Sequence, residues 1–250
     1  MNMRLKLLSC ALTLITASSM ASASILYSES FNAVTEVPDF SDPFGIYTAG
    51  SGVYTVSTGG PTTTPNGQIA PSVIQLNTVG SSDFIISSTF NITGANKGSV
   101  GLAAYGNNDS LSSSFYQAYV AQNQNVAEED FLFLEEIGGD GQITSSAVTT
   151  VSALTDGTDY VFTLTGTYSS GSLNLSFNVT GDSINQTING TDNTPLTGEY
   201  FGYRTTRASG ATTAVMDDFL IVSVPEPSSV TLFAIGSIGI LMGCGRLKRK

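Results

Sequence analysis

Apolar residues recur at every second position over several stretches of this 250-residue chain, the period of a strand with one face on a core. Phe84, Ile86, Phe90 and Ile92, with Ser88 between them, share one face of such a run. Leu173, Leu175, Phe177 and Val179 share one face of another, set against Asn174, Ser176, Asn178 and Thr180. Tyr160, Phe162, Leu164 and Tyr168 alternate in the same way up to Ser169-Ser170-Gly171, where the residue types predict a turn. Further strands are expected at 25–31, 52–56, 69–76, 100–105, 115–121, 142–151, from Ile184 through Ile188, and at 199–205 and 213–222. The segment 131–137 opens on an unbroken apolar run, which predicts burial on both faces. Gly, Pro and Thr between Thr58 and Pro71 predict a loop. Roughly a dozen short, evenly spaced strands without an amphipathic helix predict an all-β protein built as a single β-sandwich.

Both ends break this pattern. Arg4 and Lys6 precede an apolar core at 7–15 and the small residues Ala21-Ser22-Ala23, the layout of a secretory signal peptide. Cleavage by signal peptidase after Ala23 would leave Ser24 as the first mature residue, and the protein is expected to be exported. At the other end, the 19 residues from Pro227 to Gly245 carry no formal charge. As a helix they would rise roughly 28 Å, close to the ~30 Å of a bilayer's hydrocarbon. Four cations stand among the last five residues, Arg246-Leu247-Lys248-Arg249-Lys250, and should hold that end in the cytoplasm. The expected organisation is a signal peptide at 1–23, a sandwich body at 24–224, and a tail at 225–250. Within the tail, 228–245 forms one transmembrane helix and 246–250 its basic end. Pro225-Glu226-Pro227 stands directly before that helix. Its two prolines fix φ and keep the tripeptide extended around one carboxylate, a form that a processing enzyme can read.

Val224-Pro225-Glu226-Pro227-Ser228, a Gly-rich apolar segment and a terminal Arg/Lys cluster resemble the PEP-CTERM protein-sorting tail of Gram-negative bacteria. The resemblance implies transient anchoring in the inner membrane and recognition by an exosortase, a membrane transpeptidase-like enzyme. It further implies removal of the tail and delivery of the body to the cell surface or extracellular matrix. Pro225, Glu226 and Pro227 would be the recognition residues.

Charge narrows what the body can meet. Between 24 and 224 only Lys97, Arg204 and Arg207 stand against 19 acidic residues, a formal net charge of −16. Such a surface lacks the cations that neutralise phosphates, so nucleic acid is excluded as a partner. The two cysteines, Cys10 and Cys244, both lie in the terminal segments. The body must therefore rest on its core, without disulfides.

The phrases Leu26-Tyr27-Ser28-Glu29-Ser30-Phe31, Gly198-Glu199-Tyr200-Phe201-Gly202-Tyr203-Arg204 and Val215-Met216-Asp217-Asp218-Phe219-Leu220-Ile221-Val222 resemble the first and last strands of concanavalin-A-like, laminin-G-like jelly rolls. That resemblance implies that the first and last strands run side by side. It also brings glycoside hydrolases into view, which place two carboxylates on one face of a strand. Glu128 and Asp130 have that spacing but are expected in a loop, whereas Glu135 and Glu136 are adjacent and point to opposite faces. No histidine occurs in the chain, so a His-based triad is excluded and the body is expected not to be an enzyme. A sugar-binding module is the alternative. Its aromatic candidates are Tyr105, Tyr116, Tyr119 and Tyr168, because the chain has no tryptophan. The reading that asks least of the residues is a surface or matrix protein without a small ligand. Chemistry leaves one cofactor open. Strict alternation would send Asp217 and Asp218 to opposite faces beside Glu29, and a buried carboxylate needs a partner. Ca²⁺, which accepts carboxylates and carbonyls, could supply one, and a cap of backbone N–H groups is the other solution.

Overall fold

The computed structural model describes residues 23–31, 39–43, 46–50, 52–57, 69–76, 83–93, 99–109, 114–122, 129–138, 148–206 and 213–224. The body forms one compact unit, Ile25–Ser223, and the two termini fall outside it. The signal core, Pro225-Glu226-Pro227 and the apolar run 228–245 lie outside the described residues. Among the described residues no helix is long and apolar enough to cross a membrane.

The chain order is β1 (Ser24–Glu29), β2 (Tyr47–Gly50), β3 (Val53–Ser57), β4 (Ile69–Gln75), β5 (Asp83–Thr93), β6 (Ser99–Gly106) and β7 (Phe115–Gln122). It continues with β8 (Glu129–Ile137), β9 (Val148–Ser152), β10 (Asp159–Ser169), β11 (Ser172–Gly181), β12 (Ile184–Asp192), β13 (Tyr200–Thr206) and β14 (Thr213–Val224). One sheet has eight strands in the order β12-β11-β10-β5-β14-β3-β2, with β1 also paired to β14. The other has six, in the order β4-β13-β6-β7-β8-β9. The first and last strands are thus paired, as the resemblance implied.

Alternation and turn chemistry build the most regular part. Tyr168 pairs with Leu173 and Ser169 with Ser172, so Ser170 and Gly171 form a two-residue hairpin loop, both at positive φ (53° and 88°). Such a loop matches the right-handed twist of its strands and tolerates glycine best at the second position. Asp182 and Ser183 repeat the device between β11 and β12. Pro71, the last residue of the expected loop, sits within β4, in the strand expected at 69–76. β4 is an edge strand, and an edge tolerates a residue without an N–H. The strand expected at 142–151 is described only as β9, Val148–Ser152. The 131–137 run is not buried on both faces. In β8 Leu132 and Leu134 are buried, while Phe131 and Phe133 are only partly so.

β14 departs from strict alternation. Ala214 and Met216 face the core, yet so do Phe219 and Ile221, so the inward parity shifts by one residue at Asp217-Asp218. Asp218 takes up the shift with φ 51°, the left-handed kink of a β-bulge. Asp217 and Asp218 therefore both avoid the core, which corrects the expectation that alternation would bury one of them.

The two sheets enclose an aromatic core. Phe31 stacks on Tyr54 at 5.0 Å, and Tyr203 packs on Phe219 at 4.8 Å, with Phe40 among them. Buried tyrosine hydroxyls need partners, and those of Tyr203, Tyr54 and Tyr116 find them across the sandwich. Tyr203 of β13 lies 2.8 Å from Ser88 Oγ of β5, and Ser88 donates to the Asp217 carbonyl at 2.7 Å. Ser88 has one proton and the carbonyl can only accept, so Tyr203 is the donor. Tyr54 of β3 meets Ser72 of β4 at 2.6 Å. Tyr116 of β7 donates to the buried Asp192 carboxylate at the end of β12.

Two expectations follow. Tyr203→Phe keeps the ring and removes the proton that Ser88 accepts, so it should cost about 1 kcal/mol in denaturant unfolding without changing the slope. Burial also pushes the Tyr47 and Tyr203 hydroxyls well above their ordinary 10.0. A raised folded-state value gives stability that is complete below the unfolded value and lost as pH rises past it. Unfolding free energy should therefore fall above about pH 10. The buried tyrosinate absorbance should appear only together with the loss of the near-ultraviolet circular dichroism.

Candidate functional site

The strand ends of the six-stranded sheet create an open cleft of about 520 Å³, within the range of small-molecule sites. Gln75 ends β4, Tyr200 begins β13, Asn107 follows β6 and Ser114 precedes β7. The segment Pro195–Glu199 forms the remaining wall. That wall is held at several points. The Leu196 N–H donates to Tyr116 Oη at 2.9 Å, and Tyr168 Oη donates to the Leu196 carbonyl at 3.4 Å. The Leu76 N–H donates to the Glu199 carbonyl at 2.8 Å. Asp192 caps the start of the segment through the Thr194 N–H at 2.7 Å. Inside the cleft, Gln75 Nε2 donates to Glu199 Oε2 at 2.9 Å. Tyr200 stands half-buried, packed on Val73, Ala103 and Phe115.

A second polar group lies on the outer face of the same sheet. Register places Arg204 opposite Gly101, Gly101 opposite Tyr119, and Tyr119 opposite Phe133. Gly101 has no room for a Cβ, which would come within 2.1 Å of the Ala118 carbonyl oxygen. The Arg204 guanidinium crosses this gap and sits 4.0 Å from the Tyr119 ring centre. It also donates to Ser99 Oγ. Tyr119 in turn stacks on Phe133 at 4.7 Å and 8°. Gln117 Nε2 and Tyr119 Oη both donate to Glu135 Oε2, at 2.7 and 3.1 Å. Burial pushes the guanidinium down to about 10, while Tyr119, Tyr47 and Glu135 act in the other direction, so it is a cation at neutral pH. Arg204 is 2% exposed and serves the packing of this face.

The residues expected from sequence fall out as follows. Tyr105 and Tyr116 lie in the core and Tyr168 is half-buried behind the cleft wall. Of the four tyrosines, Tyr119 alone stands on the outer face. Glu128 lies outside the described residues. Asp130 is in β8, buried, and accepts the Leu154 N–H at 2.7 Å. Glu135 and Glu136 do point to opposite faces, Glu136 inward. Glu29 accepts the Phe31 N–H at 2.8 Å, and Asp217 Oδ1 accepts the Asp218 N–H at 2.7 Å. Glu29, Asp217 and Asp218 thus sit on paired strands. Among the described residues, however, no group of three or more His, Cys, Asp or Glu could hold a metal ion. The calcium expectation is left without a ligand cluster there, and backbone N–H groups cap two of its three carboxylates. Ser24 opens β1, so cleavage after Ala23 would leave the first strand whole. Gln75, Ser114, Glu199 and Tyr200 were not expected as site residues. Their one sequence signal is the glycine-aromatic phrase around Tyr200.

Comparisons with known proteins separate the two parts of the chain. No curated protein matches it in sequence. In fold the body is similar to peanut lectin solved with a nine-residue peptide, with a TM-score of 0.52 at 13% identity over 83% of this chain and all of that one. It is likewise similar to arcelin-5, a lectin-like defence protein from Phaseolus vulgaris (0.51, 12%, 82% and all). Basic winged bean lectin with Tn-antigen gives 0.50 at 11% identity over 83% of this chain and all of that one. At such identities the likeness speaks to the fold alone. The PEP-CTERM protein-sorting motif matches residues 223–250. The chain thus carries a PEP-CTERM protein-sorting motif behind a body with the legume-lectin-like jelly-roll fold.

Proposed function

We propose that this protein is exported and held for a time in the inner membrane by its C-terminal tail. An exosortase-type enzyme would then process it at Pro225-Glu226-Pro227 and deliver it to the cell surface or extracellular matrix. The match of the sorting motif to residues 223–250 carries this reading. The chemistry of both ends supports it: an uncharged run long enough to span a bilayer, a cationic stop behind it, and a signal-peptidase site between Ala23 and Ser24. In this reading the body is a non-enzymatic surface or matrix component. Its charge of −16 keeps it soluble and self-repelling once released.

The open polar cleft favours a second reading, in which the exported body binds extracellular polysaccharide. This adds to the sorting reading and leaves it intact.

Replacing Pro225, Glu226 and Pro227 by alanine tests the first reading. Full-length mature protein, by mass, should accumulate in the inner-membrane fraction and the released body should disappear. Release of a shortened body at the wild-type level would leave a plain membrane anchor in place of a sorting signal. For the second reading, the purified body should be retained on at least one member of a polysaccharide array.

A further inference from the structure

We infer that the cleft between Gln75 and Tyr200 is a saccharide site, and that it takes a neutral, hydroxyl-rich sugar and turns away uronates. This deepens the polysaccharide-binding reading and rests on it. Gln75 spends one N–H on Glu199, and its amide oxygen can only accept. The Glu199 carboxylate likewise offers only acceptor lone pairs. Both side chains line the cleft and are exposed, outside the core. Water satisfies these acceptors in the free protein; a ligand that displaces it must bring donors of its own, and sugar hydroxyls bring donors in a compact array. Ethers and esters bring none.

Charge selects among sugars. Among the described residues Glu199 is the only charged side chain in the lining, and the body around it carries −16. A carboxylate-bearing sugar would meet like charge both close by and at a distance. A neutral sugar meets no such penalty.

The wall formed by 194–199 is already in place before a ligand arrives. Tyr116, Tyr168 and Asp192 fix the 194–196 stretch from behind, and the Leu76 N–H fixes Glu199. Gly198 packs so closely on Tyr105 and Gly106 that a Cβ would come within 2.2 Å of a carbonyl oxygen. A rigid wall leaves little ordering entropy to be lost on binding. Tyr200 supplies the apolar surface. Tyr200 lines the cleft and is half-buried against the cluster of Val73, Ala103 and Phe115; in this assignment its ring meets the C–H face of a sugar.

The test uses the mature body with three hexasaccharide probes: a neutral β-glucan, a neutral mannan and a polygalacturonate. Calorimetry on the wild type should show binding of a neutral probe and none of the uronate. Tyr200→Ala should weaken the neutral probe at least tenfold, whereas Tyr200→Phe should leave it unchanged. Glu199→Gln should weaken the neutral probe and narrow the discrimination against the uronate, a change that a merely structural role would not produce. Perturbation of the Gln75 side-chain amide resonances on adding the neutral probe checks the site without any substitution. A neutral probe that binds with unchanged affinity in Tyr200→Ala, and leaves the Gln75 amide unmoved, would overturn this site and keep the polysaccharide reading. Preferred binding of the uronate would overturn the assigned sugar class. Absence of binding to these probes and to the whole array would overturn the polysaccharide reading itself.

Discussion

The strand that closes the large sheet is the last one made. β5, β3 and β1 all pair with β14, so the hydrogen-bonding edges of three earlier strands wait for residues 213–224. Buried backbone groups without partners are costly, and the sheet cannot be completed while β14 is absent. The two inward stretches of β14, with Ala214 and Met216 before the bulge and Phe219 and Ile221 after it, are all buried. At the bulge the Asp217 carbonyl receives the Ser88 hydroxyl, which Tyr203 ties to the opposite sheet. Integrity of both layers therefore converges on a strand that ends at Val224, directly before Pro225. The long sequence separations involved, such as 129 residues between Ser88 and Asp217, make this closure a non-local, entropically costly one.

Without cysteine in the body, aromatic packing and hydroxyl ties do the work that disulfides do in many exported domains. Phe31, Phe40, Tyr54, Tyr203 and Phe219 fill the interior at one end, and Phe84, Tyr105 and Phe201 fill the other. Each tyrosine brings a large apolar body and a polar tip. The tips of Tyr54, Tyr116 and Tyr203 are spent where one sheet faces the other, so they fix the relative position of the layers as well as burying area. The acidic residues remain at the surface or at strand ends, and the candidate saccharide cleft forms where those ends meet.

The hairpins β10–β11 and β11–β12 could be read from the chain because their information is local. Period-two alternation and a Ser-Gly turn specify the first without any distant partner. The bulge in β14 left a trace that strict alternation misread: the inward residues change from even to odd positions between Met216 and Phe219. Phe131 and Phe133 looked doubly buried because apolar residues stand on both faces of β8, and only the register with Tyr119 shows the outer face to be half-covered. Tyr105 and Tyr116 were plausible platform residues by type, but the pairing of β6 with β7 and β13 turns them inward. The cleft was the least legible feature. Gln75 and Glu199 are 124 positions apart, and no local pattern joins them before the sheet order is known.

Two truncations measured side by side test the dependence on β14 most directly: residues 24–224, which lack the tail, and residues 24–212, which also lack the last strand. The first should unfold in a single cooperative transition with a strong near-ultraviolet tyrosine signal. The second should show neither. A 24–212 chain that melts cooperatively at the same temperature as 24–224 would contradict a body closed by the strand next to its sorting motif.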